Sequence, residues 1–327
     1  MDTVRIGILG AARIAPSAVI KPARNVDEAM IGAVAARDRT RADAFAAKHG
    51  VPKVRDSYEA LISDPDLDAI YNPLPNGLHA EWTIAALEAG KHVLCEKPFT
   101  ANTKEAEAVA AVAARTGLVV MEAFHYRYHP LAHRMKEIVE SGELGTTRRV
   151  ETSLCFPLVK MNDIRYQYAL AGGATMDVGT YTVHLARLLS GEEPEVVSAE
   201  PRLRTADVDR AMRAELKFPS GTTGRITCSM MSKWLIQTYA RVIGDRGELH
   251  VINPTSPQIW HRMRVKSDGK SRSEKFPRKP TYEYQLEEFC AAVLRGEPTL
   301  TPPADSIANM RVLDAIYVAA GMTPRGT

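Results

Sequence analysis

Short apolar runs alternate with helix-like segments through roughly the first 120 residues, and this alternation constrains the fold more than any other feature. Parallel strands need crossover connections, so the pattern predicts βαβ units and a parallel sheet, and strands that are apolar almost throughout indicate a sheet covered on both faces. The runs that read as buried strands are Val4–Leu9, Ile31–Ala36, Ala69–Asn72, His92–Cys95 and Leu118–Met121. The helix-like segments between them are Arg39–His49, His79–Ala89 and Thr103–Arg115.

The rest of the chain has a different hydrophobic pattern: apolar and polar residues alternate with a period of two over long runs, and few segments look helical. The predicted strands are Thr147–Phe156, Glu195–Arg204, Arg210–Phe218, Thr222–Met231, Tyr239–Ile243 and Glu248–Ile252. The predicted helices are Pro130–Ser141, Ala174–Leu189, Tyr282–Leu294 and Asp305–Ala320. Consecutive strands of this kind favour a large, open and mostly antiparallel sheet. The segment Lys266–Pro280, rich in Lys, Arg, Ser and Pro, is interpreted as an exposed hairpin or loop.

These two patterns predict an α/β fold with two domains. Residues 1–124 form a Rossmann-like, doubly wound parallel sheet that binds a dinucleotide. Residues 125–327 form an α+β domain for substrate binding and dimerisation, and the last helix, at about 303–320, is expected to pack back on the first domain.

Bulk properties narrow the class of protein. Hydrophobic residues make up 45% of the chain and charged residues 25%, which is typical of a folded globular protein. A net charge of +3 without a basic block gives no reason to expect a nucleic-acid partner, and the apolar runs are too short for a membrane span. We therefore expect a cytoplasmic protein without a signal peptide. Its four scattered cysteines read as reduced thiols, and no metal site is expected.

The first predicted strand runs into Gly10-Ala-Ala-Arg-Ile-Ala15, which is close to the dinucleotide-binding pattern G-x-G-x-x-A. Gly10 supplies the tight turn and Ala15 the close helix packing, while a helix N-terminus is expected to point at the pyrophosphate. Ala12 replaces the middle glycine, which is tolerable if its φ stays negative. The predicted cofactor contacts here are Gly10, Ala12, Arg13 and Ile14.

The end of the second strand indicates which dinucleotide is bound. Arg37 stands at the turn and Arg41 one helical turn later, and two guanidinium groups suit a 2′-phosphate. Asp38 leaves an alternative open, because an acidic residue here could bind the ribose hydroxyls of NAD. NADP is therefore favoured over NAD.

Two further segments carry groups suited to proton transfer. Lys97 follows the strand His92–Cys95, where α/β sheets bind ligands, although a surface lysine in an X-Pro turn is the simpler alternative. The predicted helix after Gly172-Gly173 places Asp177, Tyr181 and His184 at i, i+4 and i+7, on one helical face. A buried hydrogen-bond network that only fixes the helix remains the alternative for these three.

With these motifs, the chain resembles the glucose–fructose oxidoreductase, inositol dehydrogenase and MocA family. The resemblance covers nearly the whole length, and within the family it favours the branch of dimeric dihydrodiol dehydrogenase and NADP-dependent xylose dehydrogenase. The motifs that carry it are the Gly10 turn, Leu74-Pro-Asn-Gly-Leu-His79, Glu96-Lys-Pro98, Met121-Glu-Ala-Phe-His-Tyr-Arg127 and Gly172 to His184.

The resemblance implies a role for each matching residue. Lys97, followed by a cis peptide to Pro98, would polarise the substrate hydroxyl, Tyr181 would exchange its proton, and Asp177 would bond near the reacting centre. Further cofactor contacts implied are Pro75, Asn76, His79, Glu96 and Lys97. The implied substrate-binding residues are His125, Arg127, Arg165, Asp177, Tyr181 and His184. At His125 this branch often carries a larger apolar or aromatic residue.

The function implied is hydride transfer between NADP(H) and a hydroxyl or carbonyl carbon of a sugar or sugar-like polyol, by a homodimer or homotetramer. Two alternatives stay open: a dehydrogenase of trans-dihydrodiols, for which Phe124, Tyr126 and Phe156 could form an aromatic pocket, and a non-catalytic NADP-binding regulator on the same fold. Retention of both Lys97 and Tyr181 argues against the regulator.

Overall fold

A computed structural model describes residues 2–158, 160, 163–232 and 236–326, and these divide into two compact units. The first unit contains residues 2–100, 104–128 and 279–307. The second contains residues 101–103, 129–278 and 308–326. The segment 279–307 therefore clusters with the residues of the first unit, although it follows the second along the chain.

The first unit is built on a six-stranded sheet in which every pairing is parallel. Its strands are Val4–Leu9 (β1), Ala29–Ala35 (β2), Lys53–Arg55 (β3), Ala69–Asn72 (β4), His92–Cys95 (β5) and Val120–Glu122 (β6). Their order is β3-β2-β1-β4-β5-β6, so the strand order reverses between β1 and β4. Ligands of open α/β sheets bind beyond the carboxyl ends of the strands at such a reversal.

The second unit is built on an eight-stranded sheet of order β14-β13-β12-β11-β7-β10-β9-β8. Its strands are Thr147–Cys155 (β7), Glu195–Thr205 (β8), Val208–Lys217 (β9), Thr223–Ser229 (β10), Gln237–Gly244 (β11), Gly247–Ile252 (β12), Arg262–Ser267 (β13) and Lys270–Glu274 (β14). Among the described strands of this second sheet, only β7 and β10 pair in parallel, and the other pairings are antiparallel.

Eight α-helices accompany the two sheets in the described part of the chain. They are Arg39–His49 (α1), Tyr58–Ile62 (α2), His79–Glu88 (α3), Thr103–Thr116 (α4), Pro130–Glu140 (α5), Thr180–Ser190 (α6), Thr281–Arg295 (α7) and Pro303–Ala319 (α8). No helix among these residues is long and apolar enough to cross a membrane.

The core of the first unit follows from its apolar strands. Val4, Ile6 and Ile8 of β1 are completely buried, and they belong to one cluster with Leu286 and Phe289 of α7. Burial of a Val, Leu, Ile or Phe side chain contributes about 1.5–3 kcal/mol. The helix α7 is therefore part of the hydrophobic core on which the parallel sheet depends.

The two faces of the eight-stranded sheet differ in chemistry. Met212 and Leu216 of β9 are buried on the face that packs against the helix of the predicted Gly172–His184 motif. On the opposite face, the Glu215 carboxylate pairs with Arg225 of the neighbouring β10 at 2.6 Å and with Arg149 of β7, one strand further, at 3.5 Å. Alternation along each strand thus produces one apolar face and one face of paired charges.

The predicted fold class is confirmed, with three corrections to its elements. The second strand is Ala29–Ala35, earlier than predicted. The predicted helix 174–189 begins as a π-helical turn, Thr175–Gly179, before α6. The turn at Gly10 leads into a five-residue π-helix, Pro16–Ile20, instead of an ordinary α-helix N-terminus. The segment 266–280 does contain a hairpin strand, β14.

Candidate active site

In the first unit, the predicted cofactor-binding residues gather at one edge of the sheet. Gly10, Arg37 and the segment 75–79 follow β1, β2 and β4, and Glu96 and Lys97 follow β5. Because the strands are parallel, their carboxyl ends lie at the same edge. The strand order brings together residues that the sequence separates by up to 87 positions.

The Gly10 turn has the geometry that a dinucleotide needs. Gly10 adopts φ +79°, and a Cβ atom there would meet Leu74 Cδ2 at 3.1 Å, so any other residue would be strained and crowded. Ala12 does not have a positive φ, which meets the condition for replacing the middle glycine. Arg13 and Ile14 follow on the exposed side of the turn. The turn therefore requires glycine at position 10, as the first position of the dinucleotide-binding pattern does.

Two exposed arginines stand at the end of β2 without a carboxylate partner among the described residues: Arg37 and Arg41. Burial raises the pKa of the Tyr58 hydroxyl, while the charges of both arginines act to lower it, so both guanidinium groups lie near this phenol. The Asp38 carboxylate accepts the Arg41 amide at 3.2 Å and caps α1. This cap gives Asp38 a structural role, and Tyr58 is a residue of this site that sequence reasoning missed.

His79 joins the loops that follow β4 and β5. Its Nδ1 lies 2.8 Å from the Pro98 carbonyl oxygen and its Nε2 lies 2.7 Å from that of Leu74. The ring is 1% exposed, and burial lowers the pKa of His79 to about 4, so it is neutral near pH 7 and donates to one carbonyl at a time. His79 therefore links the loop after β4 to the loop after β5. Pro75 and Asn76 are the more accessible residues of this loop.

Lys97 is half-buried and begins the loop after β5. Its peptide bond to Pro98 is cis, as the resemblance implied. The neighbouring Glu96 is buried and accepts a hydrogen bond of 2.7 Å from the hydroxyl of Tyr71, whose pKa burial raises. The charge of Lys97 acts on the pKa values of both His79 and His125, which places its ammonium between the loops after β4 and β6.

His125 and Arg127 lie on a buried 3-10 turn after β6, His125–Tyr128. The Nδ1 atom of His125 lies 2.8 Å from the Thr281 hydroxyl, and its ring packs at 4.2 Å from that of Tyr282. Burial, assisted by the charge of Lys97, lowers the pKa of His125 to about 3. Arg127 is 9% exposed. The partners of His125 at positions 281 and 282 could not be inferred from the sequence.

In the second unit, the π-helical turn and α6 carry Asp177, Tyr181 and His184. The Asp177 Oδ2 atom lies 3.1 Å from Nε of Arg165, so the sequence-predicted pair of substrate-binding residues is an ion pair. Tyr181 and His184 are 8% and 3% exposed. A π-helical turn has a different pitch from an α-helix, so Asp177 is shifted relative to Tyr181 and His184 from its position on the predicted i, i+4, i+7 face. Such turns are frequent at functional sites.

The donor set fits a phosphorylated dinucleotide and gives no sign of a metal centre. The Gly10 turn stands at the end of β1, where Rossmann-like units bind a pyrophosphate, and Arg37 and Arg41, without a carboxylate partner among the described residues, offer charge for a further phosphate. Within the described ranges, no group of three or more His, Cys, Asp or Glu side chains could hold a metal ion.

Comparison with known families decides the relationship. Residues 4–124 match the model described as "Oxidoreductase family, NAD-binding Rossmann fold". Residues 132–250 match the model of the GFO/IDH/MocA C-terminal domain. The chain belongs to the GFO/IDH/MocA family. The predicted family and the predicted oxidoreductase class are thereby confirmed.

Several members of the GFO/IDH/MocA family resemble this chain over nearly its whole length. D-xylose 1-dehydrogenase (NADP(+)) 2 of Haloferax volcanii is 41% identical over 318 residues, which is 96% of each chain. Trans-1,2-dihydrobenzene-1,2-diol dehydrogenase of Bos taurus is 32% identical, over 90% of each chain. The crystal structure of a 3-ketoreductase from Actinomadura kijaniata with NADP and TDP-benzene matches with a TM-score of 0.90 and 31% identity, covering 97% of this chain and 98% of that one.

Proposed function

We propose that this protein transfers a hydride between NADP(H) and a hydroxyl or carbonyl carbon of a sugar or sugar-like polyol. The observation that carries the proposal is the pair Arg37 and Arg41, which flank Tyr58 at the end of β2 and have no described carboxylate partner. A 2′-phosphate would occupy this position in a Rossmann-like unit. Two of the proteins named above support this cofactor: the xylose dehydrogenase is named for NADP(+) and for a sugar, and the 3-ketoreductase structure contains NADP.

Each candidate site residue has a separate role in the proposed reaction. The Gly10 turn, Arg37 and Arg41 would hold NADP, which would supply the carbon that accepts or returns the hydride. Tyr181 acts as the base in its phenolate form and becomes the neutral phenol when it takes the proton of the substrate hydroxyl, and the ammonium of Lys97 stabilises the negative charge that develops on the substrate oxygen. Asp177, oriented by Arg165, accepts a hydrogen bond from a neighbouring hydroxyl of the sugar.

A direct assay tests the proposal. The protein is incubated with NADP+ or NAD+ and a panel of pentoses, hexoses and inositols, and the absorbance of the reduced nicotinamide is followed. We expect turnover with at least one sugar and a higher kcat/KM with NADP+ than with NAD+. Turnover with NAD+ alone would contradict the cofactor, and no turnover with any sugar in either direction would contradict the substrate class.

The same assay distinguishes the second candidate function, oxidation of trans-dihydrodiols. The observation that favours it is the aromatic pair Phe124 and Tyr126, whose ring centroids lie 6.2 Å apart, together with the relative from Bos taurus. Both rings are completely buried, however, and therefore act as core residues. Competition between D-xylose and trans-1,2-dihydrobenzene-1,2-diol would show which substrate has the higher kcat/KM.

Two properties of the whole protein remain predictions of the sequence. The first is a homodimer or homotetramer, which light scattering after gel filtration would detect. The charged face of the eight-stranded sheet, where Glu215 pairs with Arg149 and Arg225, is the surface we propose for this contact. The second is a cytoplasmic location, which cell fractionation would test.

A further inference from the structure

The turn Gly172–Gly173 controls how the helix with Asp177 begins. Gly173 adopts φ +139°, a conformation that favours glycine. Its amide donates to the Arg165 carbonyl at 2.8 Å, and its carbonyl accepts the Asp177 amide at 3.0 Å. The backbone of this turn therefore links both members of the Arg165–Asp177 ion pair.

A buried carboxylate, Asp209 on β9, fixes the residue with which the π-helical turn begins. Its Oδ2 atom accepts the amide of Thr175 at 2.7 Å and the hydroxyl of Thr175 at 2.8 Å. Its Oδ1 atom accepts the Tyr317 hydroxyl at 3.0 Å and Nη2 of Arg325 at 3.1 Å. Asp209 is 0% exposed and holds four donors, which is how a buried charge becomes tolerable.

Arg325, in the segment after α8, completes this arrangement. Its Nε donates to the Gly172 carbonyl at 2.8 Å, while Nη2 reaches Asp209. The guanidinium lies 4.2 Å from the centroid of the Tyr317 ring, and the residue is 1% exposed. The Arg325 carbonyl in turn accepts the side-chain amide of Asn102 at 2.8 Å. A planar guanidinium can bond the turn and the carboxylate together, whereas a lysine ammonium lacks this fixed fork.

We propose that Arg325 is a positioning residue for the reaction: by joining the Gly172 carbonyl to Asp209, it sets the orientation in which the π-helical turn presents Asp177. Arg325 does not contact the reacting atoms and acts through the Gly172–Gly173 turn and through Asp209. The inference rests on the proposed function, because Asp177 is assigned there to the substrate.

The kinetic test compares two buried arginines of the second unit. Arg325→Lys keeps a positive charge beside Asp209 but loses the second bond of the fork. We expect its kcat to fall by about tenfold to a hundredfold, as small displacements of catalytic groups do, with an unchanged Kd for NADP. The matched control is Arg187→Lys at the far end of α6, where Arg187 is 7% exposed and pairs with Glu193 at 2.6 Å. Its kcat should stay close to that of the wild type.

Hydrogen exchange supplies a readout that needs no substrate. We expect the amides of residues 173–177 to exchange faster in Arg325→Lys than in the wild type, and to be unaffected in Arg187→Lys. If Arg325→Lys fails to fold, Asp209→Asn keeps the shape of the side chain, weakens the same link and should give the same pattern. Equal loss of kcat in both arginine variants, or unchanged exchange at 173–177 in Arg325→Lys, would overturn the proposal. A wild type without turnover contradicts the proposed function alone, since the exchange result stands by itself.

Discussion

The guanidinium of Arg165 and the carboxylate of Asp177 form an ion pair at the start of the helix that carries Tyr181, with 3.1 Å between Nε and Oδ2. The arginine side chain is 42% exposed and the aspartate side chain 13%, so the aspartate is the more enclosed partner. Arg165 also contacts Asp163, whose side chain is 3% exposed. One arginine therefore balances two largely buried carboxylates, and the charge of Asp177 chiefly raises the pKa of Arg165.

This pair predicts coupled effects on substrate use. Arg165→Gln should lower kcat/KM for the sugar because it releases Asp177, and Asp177→Asn should do the same. The double variant should lose less than the two single losses together, with a coupling free energy of about 0.5–3 kcal/mol, as for residues in contact. The control is Arg213→Gln, from an exposed pair on the opposite sheet face. Strictly additive losses would show that the two side chains do not act together.

Strong apolar patterns made much of the fold predictable. The ends of β1, β4 and β5 agree with the sequence prediction, because their side chains are buried almost without interruption. The strands β3 and β13 were not predicted. Lys53–Arg55 and Arg262–Ser267 are rich in charge and lie at or next to sheet edges, where charged residues discourage edge-to-edge pairing and hide the strand pattern.

The site was predictable where a motif is local and not where it depends on the tertiary structure. Lys97, Asp177 and Tyr181 stand in short, specific motifs, so the sequence alone suffices to propose them as site residues. Tyr58 lies in a five-residue helix, and Arg325 bonds Asp209 across 116 positions. No periodicity reveals such contacts. For the contact of Arg325, the local signal in the sequence was the Gly172–Gly173 pair. That pair indicated an unusual turn but did not show that Arg325 binds it.

Removal of the ammonium at position 97 should affect turnover far more than cofactor binding. We expect Lys97→Met to lower kcat by about a hundredfold or more, as loss of a general acid–base group does. The Kd for NADP, measured by fluorescence titration, should change little, because the dinucleotide is held mainly elsewhere. Lys48→Met, on the exposed end of α1, is the matched control and should behave like the wild type. Near-normal kcat in Lys97→Met would exclude Lys97 from the chemistry.

Burial of His125 predicts how stability depends on pH. The folded-state pKa of about 3 lies below the ordinary value of 6.5, so the unfolded chain binds a proton that the folded chain excludes. This contribution to stability is complete above pH 6.5 and is lost as the pH falls from 6.5 towards 3. The slope for one such proton is about 1.4 kcal/mol per pH unit.

The variant His125→Gln removes this titration and should reduce the slope accordingly. Urea denaturation near neutral pH and in mild acid measures the free energy of unfolding in both proteins, and other groups cancel in the comparison. His133→Gln replaces an exposed histidine and should leave the slope unchanged. An identical slope in His125→Gln and the wild type would mean that the pKa of His125 is the same in the folded and the unfolded protein.

Three arginines in the turn that leads from β2 into α1 give a sharp test of cofactor choice. Arg37 and Arg41 have no described carboxylate partner, whereas Arg39 between them pairs with Asp43, at 2.9 Å, and with Asp56. Hydrogen bonds to charged groups contribute about 1.5–3 kcal/mol, so Arg37→Ala or Arg41→Ala should raise the KM for NADP+ by about 10- to 100-fold. The KM for NAD+, which has no 2′-phosphate, should barely change.

Arg39→Ala removes the same charge from the same turn and is therefore the control for a general electrostatic effect. Its exposed ion pairs are worth little, and we expect the KM for NADP+ to stay within about twofold of the wild type. Added salt should weaken NADP+ binding in the wild type more than in Arg37→Ala, because screening acts on the phosphate contact that the variant has lost. If all three variants weaken NADP+ and NAD+ equally, the arginines do not read the 2′-phosphate and the cofactor is bound without them.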